Sequence, residues 1–274
     1  MPQLFKKLRP AIYGLLCLLA VSTSMAQPVP LVKPSDTDNP SRILFVGNSY
    51  LYYGDSLHSH VRGFKRAADP SGKPLRFKSA TISGATLAQH NIDWLTTPGK
   101  LGITEPFELV VLQGGSGAGL TGRRRDAFKA LVQQYAELIR SRGGQVALYM
   151  THAYVEPNKR VSPENLPLIE SLYVETGNAV NALVIPVGLA FERAYQLRPD
   201  LRLHKAYDGS HPDILGTYLA AATTYATLYG QSPVGNAYNH HGTIDRETAG
   251  FLQQVAWDTV QAFFGRKEQP TVSK

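Results

Sequence analysis

From residue 42 onward, short apolar runs alternate with longer helical stripes, and that alternation restricts the fold more than any other feature of the chain. Strand-like runs occupy residues 42–46, 75–82, 107–113, 145–150 and 182–187. Helical spacing marks residues 56–67, 124–141, 164–176, 189–196, 213–228 and 246–264. In the second of these, Phe128, Leu131, Val132, Tyr135 and Leu138 share one stripe, and Gly143-Gly144 closes it. Strands separated by helices of this length predict an α/β fold with a parallel sheet of about five strands, covered on both faces. The unbroken apolar runs Leu109-Val110-Val111-Leu112 and Val146-Ala147-Leu148-Tyr149-Met150 suit central strands. There is no internal repeat and no sign of a second domain, so residues 42–266 read as one domain and 267–274 as a polar tail.

The first residues stand apart from this pattern. Lys6, Lys7 and Arg9 precede an apolar stretch from Ala11 to Val21, too short to span a bilayer. Ser24-Met25-Ala26 is a small-x-small cleavage site. Residues 1–26 therefore read as a secretory signal peptide cleaved after Ala26, which predicts a periplasmic or secreted protein with no stable membrane insertion after cleavage. A lipoprotein reading is weaker, because Cys17 sits inside the apolar run. Residues 27–41, rich in Pro, Ser and Asp, read as a flexible lead-in.

Cys17 is the only cysteine, so a cleaved chain carries none and depends on its core alone. Roughly 230 residues suffice for that. The lack of cysteine also excludes thiol catalysis and Cys-zinc sites. Loss of Lys6, Lys7 and Arg9 takes the formal charge from +7 to +4, and no basic stripe with interleaved aromatics is present. Nucleic acid is therefore not an expected partner. His58 and His60 do not share one helix face, and His240-His241 lies in a polar loop. No metal and no cofactor is expected.

Chemistry concentrates at two points. Tyr207-Asp208-Gly209-Ser210-His211-Pro212-Asp213-Ile214 sets an Asp and a His three apart in a turn that leads into a helix. The carboxylate can fold back onto one imidazole nitrogen and leave the other to take a proton from a nucleophile. Far upstream, the first strand ends in Gly47-Asn48-Ser49, which exposes a serine beyond a strand end. Other polar loops follow strands at Ser83-Gly84-Ala85, Gly114-Gly115-Ser116 and Thr151-His152. In open α/β sheets such loops gather at one edge.

These residues resemble the blocks of the SGNH hydrolases, also called GDSL-type esterases. Gly47-Asn48-Ser49 matches the first block, Gly84 the second and Asp208-x-x-His211 the last, over residues from about 42 to 228. The resemblance implies a flavodoxin-like three-layer α/β/α sandwich that hydrolyses acyl esters without metal. It implies Ser49 as nucleophile, His211 as general base and then acid, and Asp208 as the orienter of His211. The Ser49 and Gly84 amides would donate to the oxyanion.

The third block departs. The family shows Gly-x-Asn-Asp there, whereas this chain runs Gln113-Gly114-Gly115-Ser116-Gly117-Ala118 and places Gly117 where the Asn falls. Either the Gln113 amide replaces the missing donor or two backbone amides suffice. Ser116 is a rival nucleophile, although its surroundings miss the Gly-x-Ser-x-Gly elbow by the last residue. Asn48, Tyr50, Tyr52 and His152 are candidate substrate contacts, with sheet-edge packing of the tyrosines and a wall role for His152 as the alternatives. Arg123-Arg124-Arg125 opens a helix and reads as a solvated face, or else as an attractor of anionic substrates.

The expected function is a serine esterase acting on small acyl esters, acetyl foremost, carried by a small molecule or a glycan. A lipid or lysophospholipid esterase is the alternative within the class. A glycan-binding protein without turnover is the alternative outside it.

Overall fold

Five parallel strands form the centre of the protein, in the order β2-β1-β3-β4-β5. They are β1 (Arg42–Gly47), β2 (Arg76–Thr81), β3 (Leu109–Leu112), β4 (Gln145–Tyr149) and β5 (Leu183–Ile185). The computed structural model describes residues 28–34 and 39–265, so the expected signal peptide and polar tail lie outside the described residues.

The two-residue period of β1 sorts the core. Ile43 and Phe45 face one layer, where they meet α2 (Leu57–Ala68), α6 (Val187–Leu197), α7 (Ile214–Tyr229) and α8 (Arg246–Phe264). Leu44 and Val46 face the other, against α4 (Gly122–Ser141) and α5 (Asn165–Ala179). The architecture is thus the expected three-layer α/β/α sandwich.

One helix is almost wholly internal. Nearly every side chain of α7 is buried, and its buried threonines return their hydroxyls to the helix: Thr223 to Leu219 O, Thr224 to Ala220 O and Thr227 to Thr223 O, all within 2.8 Å. Ala220, Ala221 and Ala222 keep it slim. The last helix, α8, supplies Leu252, Val255 and Ala256 to the same core.

The strand read over residues 182–187 ends early, at Ile185. Pro186 follows and caps α6, since a proline has no N–H for the ladder. Two short helices, α1 (Ser49–Tyr52) and α3 (Ile92–Thr96), carry too few residues to show a periodicity and were not expected.

The strand order puts a switch point between β1 and β3, because the chain leaves β1 for β2 on one side and returns to β3 on the other. A crevice opens there, beyond the carboxyl ends of the strands.

Candidate active site

Ser49 sits at that switch point, as the first residue of α1 and 6% exposed. Asn48 shapes its turn. The Asn48 Oδ1 accepts from Tyr50 N at 3.1 Å and caps α1, while its Nδ2 donates to Ala85 O at 2.9 Å. The second bond ties the turn after β1 to the turn after β2. In that second turn Ala85 N donates to Ile82 O at 3.2 Å, and Gly84 has φ +66, a conformation that favours glycine. The amides of Ser49 and Gly84 have no acceptor among the described residues. Both residues line one cavity.

The Asp208–His211 turn reaches the same edge. Asp208 Oδ1 accepts from Ser210 N at 2.9 Å and His211 N at 3.1 Å. Its Oδ2 accepts from His211 Nδ1 in a very short contact. Burial pushes the Asp208 carboxyl upward, but the bonds from His211 and the two amides outweigh it and hold the group below its ordinary range. Because Nδ1 faces a carboxylate, it carries the ring proton, and Nε2 is left to accept. The atom it meets is Ser49 Oγ, at 2.8 Å. A continuous relay thus runs from Asp208 through His211 to Ser49, across 162 residues of sequence.

Gly209 makes the turn possible. It has φ +56, and a Cβ there would lie 2.0 Å from Val155 O. The turn is bolted to the loop after β4 by Val155 N to Gly209 O at 2.9 Å and Asn158 Nδ2 to Asp208 O at 2.9 Å. Lys205 N donates to His211 O at 2.7 Å, and Asp213 caps α7 through Ile214 N at 2.8 Å.

The cavity at Ser49 has a volume of about 520 Å³. Leu87, Ala88, Ala127, Phe128 and Leu131 make an apolar wall. Ser83, Thr86, Ser116 and Ser210 are polar, and the exposed Arg124 and Arg160 complete the lining. Among the described residues, no group of three or more His, Cys, Asp or Glu side chains could hold a metal ion, and no helix is long and apolar enough to cross a membrane.

Several expected contacts land elsewhere. Gln113 is 1% exposed and does not line the cavity. Its Oε1 accepts from Asn48 N at 2.8 Å and its Nε2 donates to Gly114 O. The amide is committed to two backbone groups, so the expectation of an oxyanion donor gives way to that of a loop support. His152 is also withdrawn from substrate: it is 1% exposed, stacked between Tyr50 and Phe191 at 4.3 and 4.4 Å. Its Nε2 donates to Ser210 O at 2.8 Å. Burial first, then His204, keeps it neutral.

Asn48 lines the cavity but has both side-chain ends engaged. Tyr50 lines it while buried, with its hydroxyl 2.8 Å from Ser210 Oγ, and burial pushes its phenol strongly up. Tyr52 lies outside the lining and bonds Ser83 Oγ at 3.2 Å. Tyr53 stacks on the His211 ring at 4.2 Å. Ser116 lines the cavity, but its Oγ accepts from Tyr154 at 3.0 Å and has no histidine partner. The sequence reading missed Tyr154, Ser210 and Arg160, of which only Ser210 lies inside a motif.

The strand order, the serine beyond β1 and the Asp-x-x-His turn before a late helix define an SGNH-type α/β/α fold. Comparison with solved structures shows the same fold. A DUF4886 family protein from Bacteroides uniformis is similar at 19% identity and a TM-score of 0.59, over 84% of this chain and 97% of that one. A protein assigned as an SGNH hydrolase, from Slackia heliotrinireducens, is similar at 21% identity and a TM-score of 0.53, over 69% of this chain and 99% of that one. An acetylxylan esterase from Geobacillus stearothermophilus is similar at 17% identity and a TM-score of 0.51, over 71% and 96% respectively. No family model and no curated protein matches the sequence.

Proposed function

We propose that this protein is a serine ester hydrolase in which Ser49 attacks the acyl carbon, His211 takes its proton and Asp208 holds His211 in the required tautomer. The observation that carries this reading is the bonded line Asp208 Oδ2–His211 Nδ1 and His211 Nε2–Ser49 Oγ at the mouth of a ligand-sized cavity. As the serine adds, negative charge builds on the former carbonyl oxygen. The unengaged amides of Ser49 and Gly84 are its donors. His211, now protonated and facing Asp208, gives its proton to the leaving alcohol. The acyl group stays on Ser49. Water then attacks the acyl carbon as His211 removes its proton, the bond from that carbon to Ser49 Oγ breaks, and His211 returns the proton to Oγ as the acid departs.

A small acyl ester on a carbohydrate is the first substrate reading, in line with the likeness to an acetylxylan esterase. The signal-peptide reading of residues 1–26 supports an activity outside the cytoplasm. The apolar wall from Leu87 to Leu131 favours a second reading, a longer acyl chain laid against α4. A series of 4-nitrophenyl esters from acetate to octanoate tests both. A maximum of kcat/KM at acetate supports the first, one at six to eight carbons the second. No hydrolysis by the wild type along the series removes the hydrolase reading and leaves a binding protein.

A further inference from the structure

The cavity is larger than an acetyl group, and its lining carries two arginines that ester hydrolysis does not use. Arg124 lies in the first turn of α4, where a cation is opposed by the helix dipole. Its Nη1 reaches over Gly117 so closely that a Cβ built on Gly117 would stand 2.7 Å from it. Arg160 comes from the loop after β4. Its Nη1 donates to Tyr154 Oη at 3.3 Å, and Tyr154 in turn donates to Ser116 Oγ at 3.0 Å. One guanidinium group thus lies against Gly117, and the other reaches Ser116 through the Tyr154 hydroxyl. Neither makes an ion pair among the described residues, although the adjacent Arg125 pairs with Glu175. No carboxylate lines the cavity. Asp208, the acid of the nearby turn, faces His211.

We infer that Arg124 and Arg160 form an anion subsite, and that the preferred ester carries a carboxylate, phosphate or sulfate group beside the scissile bond. This rests on the reading of the Ser49 cavity as an ester site. Two planar forks of fixed positive charge suit the oxygens of such a group. A bound anion also relieves the unfavourable placement of Arg124 at a helix N-terminus. Asn158 links the subsite to the catalytic turn: it accepts from Arg160 N at 3.0 Å and donates to Asp208 O at 2.9 Å.

Matched esters test this. An O-acetylated galacturonic acid against its methyl ester removes charge on the alcohol side. A 4-nitrophenyl hemiglutarate against 4-nitrophenyl methyl glutarate removes it on the acyl side. In one pair, wild-type kcat/KM should favour the charged member by about tenfold or more at low salt, and the preference should shrink as salt rises. The charged-to-neutral ratio should fall toward one in the Arg124→Gln, Arg160→Gln double variant and below one in Arg124→Glu. A ratio near one for both pairs in the wild type, or a ratio that survives the double variant, overturns the subsite. Calorimetric binding of the same esters to Ser49→Ala reads the subsite without turnover. Tighter binding of a charged member supports it even where the wild type cleaves nothing, an outcome that removes the hydrolase reading alone. Equal binding overturns it.

Discussion

His152 Nε2 donates to the carbonyl oxygen of Ser210, 2.8 Å away, inside the turn that joins Asp208 to His211. The bond makes a residue of the fourth strand's loop a buttress for the Asp208–His211 turn. His152→Leu keeps the volume but leaves the Ser210 carbonyl without its donor. It should cost about 1–3 kcal/mol of stability and lower kcat with little change in KM, because the turn shifts while the cavity remains. Denaturant unfolding and steady-state kinetics check both. A variant with wild-type stability and a changed KM would return His152 to the substrate.

Gln113 is expected to act through the loop and not through the oxyanion. Gln113→Ala leaves Asn48 N and Gly114 O unpaired in a buried site, which should lower the melting temperature while the rate per folded molecule stays within a few-fold. Gln113→Glu should be worse, since a carboxylate cannot donate to Gly114 O and its charge would be buried. A hundredfold loss of kcat in Gln113→Ala at unchanged stability would restore its role as a donor.

Gly209→Ala should be severe. The added Cβ meets Val155 O at 2.0 Å in a backbone region that disfavours side chains. Stability should fall by several kcal/mol, and the Asp208–His211 pair should lose its geometry. Normal melting and normal turnover in this variant would mean that the turn tolerates another shape.

Acid should weaken the fold through buried histidines other than His211. Burial lowers the pKa of His60 and of His204 to about 4, and lowers His152 as well. His204 is held neutral between Tyr195, whose hydroxyl donates to Nδ1, and Ala153 O, which accepts from Nε2. The unfolded chain takes up these protons first, so stability is undiminished above about pH 6.5 and declines as pH falls toward 4. Midpoints of urea unfolding at pH 7.5, 6 and 5 should fall in that order. A flat profile would contradict the buried neutral state.

The strand pattern and Asp208-x-x-His211 were legible because each is local: short apolar runs between helical stripes, and a turn of four residues. Pro186 was equally visible and should have ended the fifth strand. The orientation of Gln113 was not legible. Its donors and acceptor point the same way in sequence whether it faces the cavity or Asn48, and only the packing of β1 against β3 decides. The withdrawal of His152 depends on Tyr50 and Phe191 closing over it from 102 residues upstream and 39 downstream. The convergence of Arg124 and Arg160 depends on the crossovers that bring the loops after β3 and β4 to one edge, which no spacing encodes.

The proposed mechanism turns on which serine becomes acylated. Ser49 has His211 at 2.8 Å, whereas Ser116 has the Tyr154 hydroxyl at 3.0 Å. A fluorophosphonate probe labels a serine only where a base activates it, and peptide mapping identifies the labelled residue. The labelled peptide should contain Ser49, and labelling should vanish in Ser49→Ala and in His211→Ala while it persists in Ser116→Ala. Ser49→Ala should also lose at least about a thousandfold in kcat while melting normally. Label on Ser116, or undiminished labelling of the Ser49→Ala variant, would contradict the relay from Asp208 through His211 to Ser49.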